Sequence, residues 1–233
     1  MIHPQQQLTL NVQLRDDTTL ENYLGAPSSS ALLRVLEGQL ETRGEPIIYL
    51  YGPPDTGKSH LLQAACHLAE TTPVLYLPLS ELANYPPEEI LQGVESMGLV
   101  CLDDVQAVVG NEAWELALFH FFNRARERGC RLLVSGNAAP RALNVELADL
   151  QSRLSWGIVY QLPSVNDEQR MSILCFRAGR RGLVLSSEVA RYIIDRAPRS
   201  LAQLLDLLDT LDSASLVEQR ALSIPFVKKA LGW

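Results

Sequence analysis

Gly52-Pro53-Pro54-Asp55-Thr56-Gly57-Lys58-Ser59 is the stretch on which the reading of this chain turns. It fits G-x-x-x-x-G-K-[ST] without a mismatch, and each fixed position has a chemical reason. Gly52 and Gly57 let the backbone curl until successive N–H groups point inward at phosphate oxygens. Lys58 reaches terminal phosphates as a point charge, and the Ser59 hydroxyl is a hard oxygen ligand for Mg²⁺. Upstream, Ile47-Ile48-Tyr49-Leu50-Tyr51 is a short apolar, β-branched and aromatic run, the pattern of a buried strand. Downstream, His60 to Leu68 reads as a helix whose N-terminal dipole faces the same phosphates. Strand, glycine loop and helix in that order imply a nucleoside-phosphate cradle. Its residues are Gly52, Pro54, Asp55, Thr56, Gly57, Lys58, Ser59 and His60, with ATP or ADP as ligand and Mg²⁺ as companion ion.

The rest of the chain supplies the matching scaffold. Apolar runs at 73–79, 99–104, 131–135 and 157–162 read as four more strands, separated by a short helix opened by Pro86-Pro87-Glu88-Glu89 and by helical stretches at 112–128 and 143–154. Asn111 caps the long helix and Gly129 closes it. Ser28-Ser29-Ser30 can cap another helix, through Leu40. Strands alternating with helices predict an α/β fold with a five-stranded parallel sheet covered on both faces. At Pro163 the pattern changes. Asn166-Asp167, Ser186-Ser187, Ser200 and Ser223 each open a helix, so a small all-α lid follows. The expected organisation is an extended tail over residues 1–13, a nucleotide-binding α/β domain over 14–163 and a helical lid over 164–233.

Composition narrows the function. With 233 residues, 47% hydrophobic and 20% charged, the chain can bury a sizeable core without staples. A formal net charge of −7 argues against non-specific nucleic-acid binding. Cys66, Cys101, Cys130 and Cys175 are far apart and form no C-x-x-C pair, which fits small buried side chains in a reduced compartment, the cytoplasm. The N-terminus lacks the charged and apolar regions of a signal peptide, and no run is long enough to span a membrane.

Several side chains outside the loop carry candidate chemistry. Asp103 ends an apolar strand, where a carboxylate holds Mg²⁺ through water. Asp104 follows at the position of a base that activates water, although its short arm argues for weak turnover. Asn137, after the fourth strand, lies where a polar group can orient water at a γ-phosphate. Arg199 precedes the long lid helix, where an arginine can reach phosphates; a helix-dipole or surface charge is the alternative reading. Arg153 is a candidate for stabilising charge on a transferring phosphoryl group, although spacing alone favours a surface ion pair. Arg124, Arg126, Arg128 and Arg131, like Arg177, Arg180 and Arg181, read first as solvated faces. In residues 7–12, Gln7 precedes Leu8, Leu10 and Val12, which share a face when extended and suit the pockets of a partner.

Together these residues resemble the DnaA branch of the AAA+ ATPases. Cys101-Leu102-Asp103-Asp104-Val105-Gln106 is similar to that branch's Asp-Asp-hydrophobe-Gln, and Ser152-Arg153-Leu154-Ser155-Trp156-Gly157 to its Ser-Arg-Phe-Gly-Trp-Gly box. The sequence has no counterpart of the helix-turn-helix domain that follows the lid in DnaA. With residues 7–12 and the closing Gln219-Arg220-Ala221-Leu222-Ser223-Ile224-Pro225-Phe226-Val227-Lys228, it resembles the Hda family of regulatory inactivators of DnaA.

The resemblance implies a regulator of replication initiation. Gln7, Leu8, Leu10 and Val12 would dock on the DNA-loaded β sliding clamp of DNA polymerase III, so that DNA is met only through the clamp. Arg153 would act in trans as an arginine finger on ATP held by DnaA. The protein itself would hold nucleotide, with ADP favoured, and have weak or no turnover of its own; a homodimer is compatible. The lid arginine of DnaA aligns with Ala202, which leaves Arg199 to take its place. The competing expectation is a stand-alone AAA+ ATPase or helicase loader acting on single-stranded DNA.

Overall fold

The computed structural model describes residues 14–25, 29–69 and 71–233. The expected clamp peptide, with Gln7, Leu8, Leu10 and Val12, lies outside the described residues. The five apolar runs form strands β1 (Ile47–Tyr51), β2 (Val74–Pro78), β3 (Leu99–Asp103), β4 (Arg131–Gly136) and β5 (Ile158–Gln161). All pair in parallel, in the order β2-β3-β4-β1-β5. Alternate residues of each run face opposite sides, so both faces are apolar. Ile48, Leu50, Leu99, Cys101 and Leu133 pack with α1 (Ser30–Glu37) and α2 (Lys58–Leu68). Ile47, Tyr49, Val100, Leu102, Leu132 and Val134 share the other core with Trp114, Leu118, Phe121 and Phe122.

That second face is covered by α3 (Leu79–Leu82), α4 (Pro87–Leu91), α5 (Glu112–Arg128) and α6 (Ala148–Leu154). The Trp114 N–H donates to Asn111 Oδ1 at 3.2 Å, and Gly129 closes α5 with φ of 71°. The helix expected over 143–154 begins only at Ala148. The amides ahead of it have another acceptor: the buried Glu115 carboxylate takes the N–H groups of Glu146 and Leu147, the latter at 2.7 Å. The helix expected through Leu40 stops at Glu37, and Ser29 stands at its N-cap without a side-chain bond. Gln39 instead turns inward and donates to the Leu132 carbonyl at 3.0 Å.

After β5 everything regular is helical: α7 (Asp167–Arg180), α8 (Ser187–Ile194), α9 (Leu201–Glu218) and α10 (Ile224–Leu231). Asn166 and Gln169 cap α7 reciprocally, and Ser186, Ser200 and Ser223 cap the next three. The α9 helix, with 18 residues, is the longest of the lid. Leu174, Ile193, Leu204, Leu208 and Leu211 belong to a third core, separate from those of the sheet. No helix among the described residues is long and apolar enough to cross a membrane.

Gly157 is the tightest joint between the sheet and α6. A Cβ there would lie 1.7 Å from the Ile47 carbonyl oxygen and 2.5 Å from its carbon. Those are strand atoms, which cannot swing aside. Gly157→Ala is expected to lower stability by about 3 kcal/mol, at the upper end of overpacking costs. A urea unfolding midpoint equal to wild type would contradict this.

Candidate functional site

The site forms where β1, β4 and β3 end side by side. Ligands in open parallel sheets bind outside the carboxyl ends of the strands. The loop after β1 turns at Gly52, where an added Cβ would meet the Leu162 carbonyl oxygen at 2.5 Å. Gly57 has φ of 86° and begins the turn into α2. The Lys58 ammonium folds back on its own loop, donating to the Gly52 carbonyl at 3.0 Å and the Pro53 carbonyl at 2.8 Å. Burial lowers its pKa from the ordinary lysine value, while the carboxylates of Asp104, Asp103 and Asp55 oppose that shift.

A cleft of about 710 Å³ opens over this loop. Pro54, Asp55, Thr56, Gly57, Lys58, Ser59 and His60 line it, as do Asp104 and Asn137. The structure therefore brings most of the expected cradle residues together. Gly52 lies beneath the loop, and Asp103 lies behind Asp104 as a buried carboxylate. Arg199 is exposed and outside the cleft, whereas Ala202 lines it.

The acidic end is a connected network. The Tyr76 hydroxyl donates to Asp103 Oδ2 at 2.6 Å, and the buried Ser135 hydroxyl donates to Oδ1. Burial first, and then the charge of Asp103, raise the Tyr76 pKa, so that it stays a donor. Asp104 adopts φ of 58°, and its N–H donates to Ser135 Oγ at 2.9 Å. The Gln106 amide donates to Asp104 Oδ1 at 2.9 Å, while its oxygen accepts the Asn137 N–H at 3.0 Å. The Asp103 oxygens keep lone pairs beyond those hydroxyl bonds, and Ser59 adds a hydroxyl to the cleft wall. This donor set fits a hydrated Mg²⁺, which takes oxygen ligands and retains several waters.

Sequence reasoning missed the opposite wall. Asn22, Tyr23 and Leu24 line the cleft from the segment ahead of α1, and Val165, Ile173 and Leu205 line it from the lid. This apolar and aromatic side suits a flat base, opposite a polar side that suits phosphates. Tyr23 crosses the loop so closely that a Cβ on Gly57 would sit 2.9 Å from its Cε2. His60 Nε2 lies 2.8 Å from the Thr19 carbonyl, and burial lowers its pKa. No motif marks Asn22, Tyr23, Leu24 or the lid residues; only the fold places them.

The segment is also pinned to the lid. Arg177 is buried and bonds the Asp17 carboxylate, the Asp17 carbonyl at 3.3 Å and the Asn22 carbonyl at 3.2 Å. Arg180 pairs with Glu21 at 2.7 Å, and Arg181 with Asp17 at 3.5 Å and with Asp209. That basic run is an internal clasp rather than a solvated face.

Arg153 stands apart, in the last turn of α6. Its Nε donates to Asn123 Oδ1 at 3.0 Å, and its guanidinium lies 3.8 Å from the Trp156 ring centroid. Arg126 approaches the Trp156 ring at 4.6 Å. No carboxylate among the described residues pairs with Arg153, and it does not line the cleft.

Comparison with known proteins agrees with this geometry. The model of the bacterial DnaA ATPase domain matches residues 16–161, and that of the Hda lid domain matches residues 167–231. An uncharacterized protein of Haemophilus influenzae is 44% identical over 228 residues, spanning 97% of this chain and 98% of its own. Domain III of the replication initiation protein DnaA from Thermotoga maritima superposes with a TM-score of 0.75 at 23% identity, covering 95% of this chain and 98% of that one. AMPPCP-bound DnaA from Aquifex aeolicus gives 0.70 at 26% identity, over 89% of this chain and 68% of its own. A phosphate loop, an Asp-Asp strand end and an arginine beside a Trp-Gly pair thus lie in a matching frame. The chain belongs to the bacterial DnaA ATPase-domain family of AAA+ proteins, with a lid of the Hda type.

Proposed function

We propose that this protein is an Hda-like regulator that switches off DnaA by promoting hydrolysis of DnaA-bound ATP. The observation that carries the reading is Arg153: a guanidinium steadied by Asn123 and Trp156, without a carboxylate partner among the described residues, and outside the chain's own cleft. An arginine so placed serves a phosphate held by another subunit. In this reading the cleft binds ADP or ATP with Mg²⁺. Gly52, Pro54, Asp55, Thr56, Gly57, Lys58, Ser59 and His60 form the cradle, and Ser59 and Asp103 hold the ion. Mg²⁺ supplies charge neutralisation between phosphates; the chain's residues bind and orient the nucleotide. Asp104 is tied to Gln106, which favours slow turnover by this protein alone. Gln7, Leu8, Leu10 and Val12 dock the protein on the β sliding clamp of DNA polymerase III, so DNA is met only through the clamp. The site of action is the cytoplasm.

The test is DnaA-bound ATP hydrolysis, with and without this protein and clamp-loaded DNA. A rise that needs both components is the expected result, and no change on adding the protein rejects the reading. Turnover of several per second by the protein alone, in an assay with single-stranded DNA, would favour the stand-alone ATPase or helicase loader instead. The lid's basic run speaks against that alternative, because Arg177, Arg180 and Arg181 are paired within the chain.

A further inference from the structure

Both oxygens of the Asp103 carboxylate are gripped by hydroxyls, one from each strand that flanks β3. The Tyr76 hydroxyl on β2 donates to Oδ2 at 2.6 Å, and the Ser135 hydroxyl on β4 donates to Oδ1. Tyr76 is in register with Cys101, two residues before Asp103, so its long side chain runs forward along the same face of the sheet. Ser135 follows Val134, the partner of Leu102. Each hydroxyl has a single hydrogen, and its direction is settled. Ser135 Oγ accepts the Asp104 N–H at 2.9 Å, which leaves its hydrogen for Asp103. The phenol faces a carboxylate, its strongest available acceptor. Gln63, from α2, hydrogen-bonds the same phenol.

The type of partner matters as much as the number. Asp103 is 3% exposed, yet among the described residues no lysine or arginine pairs with it. Lys58 donates instead to the Gly52 and Pro53 carbonyls. A cation would fix the carboxylate and cancel its charge. Two neutral hydroxyls fix it and leave the charge to act elsewhere. They also occupy only two of about four lone-pair sites, so each oxygen can still accept from a water on a metal ion.

We propose that Tyr76 is a positioning residue for Mg²⁺: with Ser135 it holds the Asp103 carboxylate in the orientation that receives the waters of an ion carried on the nucleotide. Tyr76 does not line the cleft, so it acts on the ion only through Asp103. The proposal rests on the cleft being a nucleotide site.

The test reads the metal directly. Mn²⁺, which favours the same oxygen ligands as Mg²⁺, is titrated into ADP held by excess protein, and free Mn²⁺ is followed by electron paramagnetic resonance. Tyr76→Phe removes only the hydroxyl and is expected to weaken Mn²⁺ binding about tenfold, the low end for loss of a group that orients a metal ligand. ADP affinity measured in EDTA should stay within about twofold of wild type, since no phosphate contact is lost. Asp103→Asn should weaken Mn²⁺ at least as much, and adding Tyr76→Phe to it should cost nothing further, because both changes remove one device. Should Tyr76→Phe fail to fold, Ser135→Ala is held to the same expectation at Oδ1. Mn²⁺ affinity unchanged in the folded variant overturns the proposal. So does an equal loss of ADP affinity in EDTA, which would make Tyr76 a structural support of the loop. ADP binding by wild type without Mn²⁺ uptake overturns the proposal alone; failure of wild type to bind ADP at all rejects the nucleotide site and the proposal with it.

Discussion

Arg153→Ala is expected to cut stimulated hydrolysis of DnaA-bound ATP at least about a hundredfold, because a trans arginine typically contributes three to five orders of magnitude. The variant should still fold and still bind nucleotide. Its side chain is partly exposed and contributes a stack on Trp156, a contact of about 1 kcal/mol. Arg153→Lys keeps the charge but loses the planar fork and the Nε bond to Asn123, so it should recover little. The decisive comparison is between stimulation and binding. If Arg153→Ala binds DnaA as wild type does and also stimulates as wild type does, the guanidinium is not at the reacting phosphate. If stimulation falls only because binding falls, Arg153 is an interface contact and the arginine-finger reading is lost.

The parts legible in the sequence are those whose chemistry is local. The phosphate loop, its strand and its helix lie in one continuous stretch. Asp103 and Asp104 announce themselves as acids ending an apolar run, and the Asn166–Gln169 capping box is written in four residues. What escaped depends on partners far along the chain. Tyr76 reads as one more strand aromatic, yet its hydroxyl orients Asp103 from β2. Gln106 belonged to the family-like Asp-Asp-Val-Gln stretch, but nothing in that stretch says that it bridges Asp104 to Asn137. The segment around Asp17 and Asn22 carries no motif; it is a wall of the cleft because Arg177 reaches it from the lid. Arg199 is a different case: its position suggested a cation at the phosphates, and in the structure it stands exposed beside Ser200 and Leu201, which meet Asp55.

Glu115→Ala is expected to destabilise the protein by about 3–5 kcal/mol, with the first thermal transition falling roughly 10 °C. In sequence Glu115 is an acid in the first turn of α5, where a solvated carboxylate favouring the helix dipole is the ordinary outcome. In the structure it is 2% exposed and accepts N–H groups from Gly110 at 2.8 Å, Leu147 at 2.7 Å and Glu146. Removing the carboxylate takes the acceptor from three N–H groups, those of exposed Gly110 and Glu146 and of half-buried Leu147, each costing about 1–3 kcal/mol where water cannot replace it. Glu115→Gln keeps one oxygen but points an amide donor at other donors, so it should fall between Ala and wild type. The damage should reach function as well. The amides that Glu115 holds lie immediately ahead of α6, and α6 ends in Arg153. Freed at its start, α6 has less reason to keep that guanidinium on Trp156, and stimulation of DnaA-bound ATP hydrolysis should drop at temperatures where the variant remains folded. Calorimetry showing a loss below about 1 kcal/mol would mean that water replaces the carboxylate. Residues 143–147 would then be held by their apolar contacts, such as those of Leu143 and Val145 with the core, rather than by Glu115.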